Sequence, residues 1–271
     1  MARRIANKSG RPVTQWPKLR LIGMVHLPGL PGAPQSRNSM DEIIRRAVRE
    51  ARVLAGAGFD AVIVENFGDS PFAAEHVPAE TVAAMGIIVD HVVRAVRVPV
   101  GVNVLRNDGF AALALAATGG AAFIRVNVLS GVYATDQGIL TGRAHELLRK
   151  RAHLVPNLGI AADVHVKHSQ PISQPDIALA AEETAYRAGA DVLIVSGEGT
   201  GHATDLDDVQ RVRKAVPDRA VWIGSGVTTA TVGACLEAAT GVIVGTALKR
   251  GGRTTAELDP ARVRAFLAAV R

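Results

Sequence analysis

A chain of 271 residues with 48% hydrophobic and 4% aromatic side chains can bury a full core. It fits the roughly 250 residues of one eightfold α/β barrel and offers few rings for a nucleic-acid stacking platform. The formal charge of +6 falls on a leader, because Arg3, Arg4, Lys8, Arg11, Lys18 and Arg20 stand among the first twenty residues with no acid beside them; the remainder is neutral and offers no continuing footprint for nucleic acid.

The leader, residues 1–20, lacks the apolar core of a signal peptide. It reads as a solvated, flexible tail, with weak attraction to an anionic surface or partner as its functional alternative. From Leu21 a single unit recurs: an Ala-rich helix end, a glycine turn, then an aliphatic run. It is clearest at Ala57-Gly58-Phe59-Asp60 before Ala61–Val64, at Ala188-Gly189-Ala190-Asp191 before Val192–Val195, and at Thr240-Gly241 before Val242–Val244. Glycine in the left-handed conformation ends a helix, and the short run after it suits a strand buried on both faces. In chain order the predicted strands are 21–27, 61–67, 100–105, 123–128, 159–166, 192–197, 220–226 and 241–248. The predicted helices are 40–57, 79–97, 109–118, 143–153, 176–188, 205–216, 228–239 and 260–270.

The most apolar stretch, near 110–124, is interrupted by Thr118, Gly119 and Gly120 and is too short to span a bilayer. The lone Cys235 excludes an internal disulfide and a multi-cysteine metal site. The expectation is therefore a cytoplasmic protein with, at most, peripheral membrane association.

Strict strand–helix alternation implies parallel pairing with right-handed crossovers. Eight such units predict a single (β/α)8 TIM barrel over residues 21–271. Connections from helix to strand are tight, whereas those from strand to helix are long at 28–39, 68–78, 129–142, 167–175, 198–204 and 249–259. Chain not needed for packing thus collects at the C-terminal ends of the strands, the face that carries the active site in such barrels.

Alternation along the strands places polar residues at that face. The expected substrate-binding set is His26, Asn66, Asn103, Arg125 and Asn127. The expected catalytic set is Glu65, Asp163, His165 and Lys167, the last three sharing one side of the fifth strand. His165 or Lys167 offers an acid, a base or a Schiff-base nucleophile, and Glu65 or Asp163 a base or metal ligand; Arg125 can grip an anion. A divalent metal on Glu65, Asp163 and His165 is compatible with these residue types but has no short-range ligand spacing behind it, so no cofactor is required. An ion-pair network that only fills the barrel is the plainer alternative. Phosphate is expected at Ser225, Gly226, Gly245 and Thr246, because the loops after strands seven and eight hold phosphate in many barrels and glycine lets backbone N–H groups approach an anion. Ser196 and Gly197, opening the Gly-rich segment 196–202, suggest a lid or second anion cradle.

Several stretches resemble the BtpA/SgcQ family: Val25–Gly32, Val64–Phe72 (Val-Glu-Asn-Phe-Gly-Asp-Ser-Pro-Phe), Asn103–Asn107, Phe123–Asn127, Tyr133–Gly138, Val164–His168, Ser196–Gly201 and Gly245–Lys249. They follow in order across residues 21–260; the leader has no match. The resemblance implies a ribulose-phosphate-binding-type barrel. One member of the family is associated with photosystem I accumulation and another is encoded among sugar-metabolism genes, and no settled reaction comes with it. Two functions remain in view: a lyase, isomerase or hydrolase acting on a phosphosugar or ribosyl-phosphate compound, and a non-catalytic assembly factor. The expected partners are a small phosphorylated ligand and, as in many barrels, a second copy of the chain.

Overall fold

The computed structural model describes residues 16–197, 199–200 and 202–270. Most of the basic leader, together with Glu198 and Gly201 of the Gly-rich loop, lies outside the described residues.

In chain order the elements are β1 (Leu21–His26), α1 (Met40–Ala57), β2 (Ala61–Glu65), α2 (Ala79–Ala95), β3 (Val100–Asn103), α3 (Gly109–Gly119), β4 (Phe123–Val126), β5 (Val132–Thr135), β6 (Gly138–Thr141) and α4 (Ala144–Leu154). There follow β7 (Gly159–Val164), β8 (Ser169–Pro171), α5 (Ile177–Glu182), β9 (Val192–Val195), α6 (Leu206–Ala215), β10 (Ala220–Ile223), α7 (Val232–Ala238), β11 (Gly241–Val244) and α8 (Pro260–Val270). Eight strands close into a parallel barrel in the order β1-β2-β3-β4-β7-β9-β10-β11, with β11 pairing back onto β1. The TIM-barrel expectation therefore holds.

Local chemistry sets the helix ends. Ser39 and Glu42 form a reciprocal capping box at the start of α1, satisfying backbone donors that the first turn leaves free. Asp108, Asp176 and Asp205 cap α3, α5 and α6 in the same sense. Beyond α5 the chain continues through one wider helical turn, residues 183–187.

Outward strand residues such as Val25, Val62, Val64, Val102 and Ile124 pack with Ile43, Leu54, Met85 and Ile88 of the helices. Inward residues Ile22, Met24, Ile63, Ile194 and Ile243 fill the barrel itself. Its N-terminal end is closed by Trp16, Phe123 and Trp222, whose ring centroids lie 5.7–5.9 Å apart in edge-on contact. Trp16 belongs to a short turn, Trp16–Lys18, so packing reaches at least five residues before the boundary expected at 21. Gly159 makes this possible: a Cβ there would stand 2.0 Å from the Trp16 ring.

Each barrel strand ends one to four residues earlier than predicted, and the last ladder pairs at the mouth include His26 with Glu65 and Asn103 with Arg125. The segment 129–142, expected as loop, contains the hairpin β5–β6. Its register pairs Thr135 with Gly138 around Asp136 and Gln137, and β8 joins its other edge. The β-branched residues Val132, Thr135, Ile139 and Thr141 carried that signal.

Behind the mouth, Lys249 and Glu50 are almost wholly buried (0% and 2% exposed) and pair with each other. The Glu50 carboxylate also accepts from Arg46 Nε at 3.1 Å and from the Leu258 N–H at 3.1 Å. This tie fastens the chain after β11 to α1. Removing one partner of a buried pair leaves an uncompensated charge. Glu50→Gln is expected to destabilise the fold by about 3–5 kcal/mol in denaturant titration, whereas replacing both Glu50 and Lys249 by Met recovers most of the loss.

Candidate functional site

Barrel register aligns the polar residues. His26 is paired with Glu65, Glu65 with Asn103, and Asn103 with Arg125, so four neighbouring strands present a continuous polar row. One step further toward the mouth, Asp163 takes the Arg125 guanidinium on both oxygens, from Nε at 3.0 Å and Nη2 at 2.8 Å. Asn127 Nδ2 donates to the same carboxylate at 2.9 Å and Ser196 Oγ at 3.2 Å. Asn103 Nδ2 in turn donates to Asn127 Oδ1 at 3.0 Å. Burial acts to lower the Arg125 pKa, but the Asp163 carboxylate outweighs it and holds the guanidinium charged.

The groups left without such a partner are shifted toward neutrality. Burial lowers the His26 pKa well below the ordinary imidazole range, helped by the charges of Lys249, Lys167 and Arg125. Glu65 lies 3.6 Å from His26 Nε2. Burial raises its pKa against the opposing pull of Arg125 and Lys167. Lys167 is pushed down by burial and then by Arg125. A carboxyl that keeps its proton longer than usual and a lysine that loses its proton earlier than usual are the properties wanted in groups that exchange protons near neutral pH.

Two cavities open at the mouth. The first, of about 430 Å³, is lined by His26, Glu65, Arg125 and Lys167, by 224–230 after β10, by 245–247 after β11, and by Thr200 and Arg262. The second, of about 620 Å³, shares Glu65, Arg125, Lys167 and Thr200 and extends along Leu27, Phe67, Phe72, Leu105, Arg106 and Gln137. Ser225, Gly226, Gly245 and Thr246 all line the first cavity, so barrel closure brings the two glycine turns to one hollow. Gly226 has φ +69°, and a Cβ there would stand 2.2 Å from the His202 carbonyl oxygen, so no side chain fits between this turn and the Gly-rich loop.

Not every expected residue reaches the mouth. β7 ends at Val164, and His165 takes φ +49°, which breaks the alternation that had put it beside Asp163 and Lys167. Its ring turns against Tyr133, and Nε2 meets the Gln174 carbonyl at 2.8 Å. His165 lines an adjoining outer recess together with Ser196 and Gly197, and this recess meets the mouth cavities at Lys167. Asn66 is committed elsewhere: its Oδ1 accepts from the Leu105 N–H at 2.7 Å and its Nδ2 donates to Asp69 at 3.1 Å. Asp69 also accepts from the Leu30 N–H at 2.8 Å, so Asn66 joins the ends of β2 and β3 to the 28–34 loop. Gly197 lies outside both cavities but holds their wall, its N–H donating to Ser225 Oγ at 2.9 Å. Arg106, just beyond Asn103 and within the Asn103–Asn107 stretch, lines the second cavity; Arg262 lines the first although no local motif marked it, because it lies in the first turn of α8, whose approach to the mouth is set by barrel closure. Among the described residues no group of three His, Cys, Asp or Glu side chains is placed to hold a metal ion, and no helix is long and apolar enough to cross a membrane.

Fold and mouth together define a closed, parallel (β/α)8 barrel with a polar mouth. Among solved structures the chain is similar to the thiamine phosphate pyrophosphorylase of Pyrococcus furiosus, with a TM-score of 0.60 and 15% identity, covering 94% of this chain and 96% of that one. It is also similar to the phosphoribosyl anthranilate isomerase of Thermus thermophilus, with a TM-score of 0.56 and 11% identity, covering 92% and 98%. At such identities the likeness is one of fold. The family model described as the BtpA family matches residues 18–271, and this chain belongs to that family. It is 46% identical to the photosystem I biogenesis protein BtpA of Synechocystis over 92% of this chain and 87% of that protein.

Asp163→Asn leaves Arg125 buried beside a neutral amide and is expected to cost about 3–5 kcal/mol, read as a fall of several degrees in Tm. The lowered His26 pKa has a separate signature. A group depressed in the folded state contributes stability above its unfolded pKa of about 6.5, and that contribution drains away as the pH falls through the folded value. Between pH 7 and pH 5 the wild type should lose more thermal stability than His26→Gln, measured by parallel melts.

Proposed function

We propose that the protein binds a small phosphorylated molecule at the barrel mouth and acts on it as a lyase, isomerase or hydrolase, the substrate being a phosphosugar or ribosyl-phosphate compound. One observation carries this reading: proton-exchanging side chains, Glu65 and Lys167, adjoin a hollow bordered by two glycine turns within a single cavity. The phosphate would rest against Ser225, Gly226, Gly245 and Thr246, where backbone groups approach without side-chain obstruction. Arg262 would add charge from the side.

In this reading Arg125 orients an anionic or carbonyl oxygen of the substrate, and Asp163, with its oxygens already occupied by protein donors, fixes the guanidinium. Glu65 would give or take the proton at the reacting carbon. Lys167 would serve as base or carbonyl nucleophile. His26, neutral, and Asn127 would contact the substrate. The names of the two barrels with similar folds include phosphate or phosphoribosyl compounds, which supports the ligand class.

A second reading, a non-catalytic assembly factor, is favoured by the name of the Synechocystis relative. A mouth built around a buried ion pair and the shifted groups His26, Glu65 and Lys167 supports the first reading more directly. Millimolar inorganic phosphate is expected to raise the Tm by a few degrees, and Arg262→Ala to weaken the half-maximal phosphate concentration three- to tenfold while leaving the ligand-free Tm within about a degree. A flat response of the wild type to phosphate and to a panel of phosphosugars sinks the proposal.

A further inference from the structure

The mouth holds more room than a short phosphosugar uses. The two cavities, about 430 and 620 Å³, meet at Glu65, Arg125, Lys167 and Thr200. Their walls also touch: the His26 ring of the first lies 5.0 Å from the Phe67 ring of the second. They form a single trough with its titratable side chains at the waist, and the size of the two lobes is that of sites holding a molecule well beyond a phosphate and a short polyol.

The second lobe has one carbon wall that a short polyol does not use. Leu27, Phe67, Phe72 and Leu105 present carbon surface, and the two phenylalanine rings lie 6.4 Å apart, tilted by 59°. Hydroxyls set against these four side chains would lose water without gaining partners, whereas Ser70, Arg106, Asn127, Asp136 and His168 supply the polar part of the same lining. A flat unsaturated ring instead gains offset or edge contacts with both phenylalanines. At the margin, Gln137 lines the same lobe. Its Nε2 is held by Asp136, whereas its Oε1 is buried with no hydrogen-bond partner among the described residues. A buried acceptor without a donor is destabilising, and a ring N–H or exocyclic amine would satisfy it.

We infer that the second lobe seats a flat, nitrogen-bearing heterocyclic ring joined through a short sugar or polyol to the phosphate in the first lobe, which makes the substrate a nucleotide-like phosphomonoester with its reacting bond at the Glu65–Lys167 waist. This rests on the phosphate reading above and narrows its substrate class.

Titration calorimetry on the full chain separates the two ideas, with inorganic phosphate, ribose 5-phosphate and the common nucleoside 5′-monophosphates as probes. At least one nucleotide should bind ten times more tightly than ribose 5-phosphate. Phe72→Leu, which keeps the carbon bulk but removes the ring, should cut that margin to threefold or less while leaving ribose 5-phosphate affinity within twofold. Gln137→Leu should change the ranking of the nucleotides and leave ribose 5-phosphate unaffected. If phosphate and ribose 5-phosphate bind but every nucleotide falls within threefold of ribose 5-phosphate, the ring seat is overturned and the phosphate reading stands. An equal loss of ribose 5-phosphate and nucleotide binding in Phe72→Leu also overturns the ring seat. If no phosphorylated probe binds, both fall together.

Discussion

The Arg125–Asp163 pair is the constraint on which the mouth depends. A guanidinium and a carboxylate at the top of a hydrocarbon-filled barrel are tolerable only when every donor and acceptor is met. Asp163 meets that condition through Arg125, Asn127 and Ser196, which come from strands on either side of its own. The pair therefore fixes β4 and the end of β9 relative to β7 and sets the charge that its neighbours feel. Burial pushes Lys167 toward its neutral form, and the charged Arg125 adds to that shift while pulling Glu65 part of the way back from protonation.

The barrel interior is graded along its axis. Trp16, Phe123 and Trp222 close one end with aromatic surface. Aliphatic residues fill the middle, and the row from His26 to Arg125 makes the other end polar. A dry floor reduces competition from water beneath the polar row and strengthens each electrostatic interaction above it. The Glu50–Lys249 tie plays the corresponding part outside the barrel. It anchors the chain that leaves β11, and with it the Gly245–Thr246 turn, to α1. Two buried ion pairs, one inside the sheet and one behind it, thus hold the two sides of the trough.

Most of the architecture was readable from periodicity, because parallel strands covered on both faces and amphipathic helices write their patterns locally. The early strand ends were not readable. Whether Asn66 or Leu105 continues a ladder depends on a neighbour at the same height, and at the mouth there is none. The β5–β6 hairpin had its local β-branched signal, but the third strand that pairs with it, Ser169–Pro171, lies beyond α4 and β7 in the sequence and could not be read from that segment. The Glu50–Lys249 pair joins residues 199 positions apart, and no local signal announces such a contact.

The sequence by itself determined the alternation, the glycine turns after β10 and β11, and the residue types at the strand ends, since each follows from local propensity and side-chain period. Tertiary structure alone decided which of those residues face one another. Strand register aligned His26, Glu65, Asn103 and Arg125, and a positive φ at His165 turned that ring out of the mouth. Asn66 was drawn into the wall by the need to satisfy Leu105 and Asp69. The physical reason is that facing depends on closure and on the pairing of buried polar groups, which are properties of the whole ring rather than of any segment.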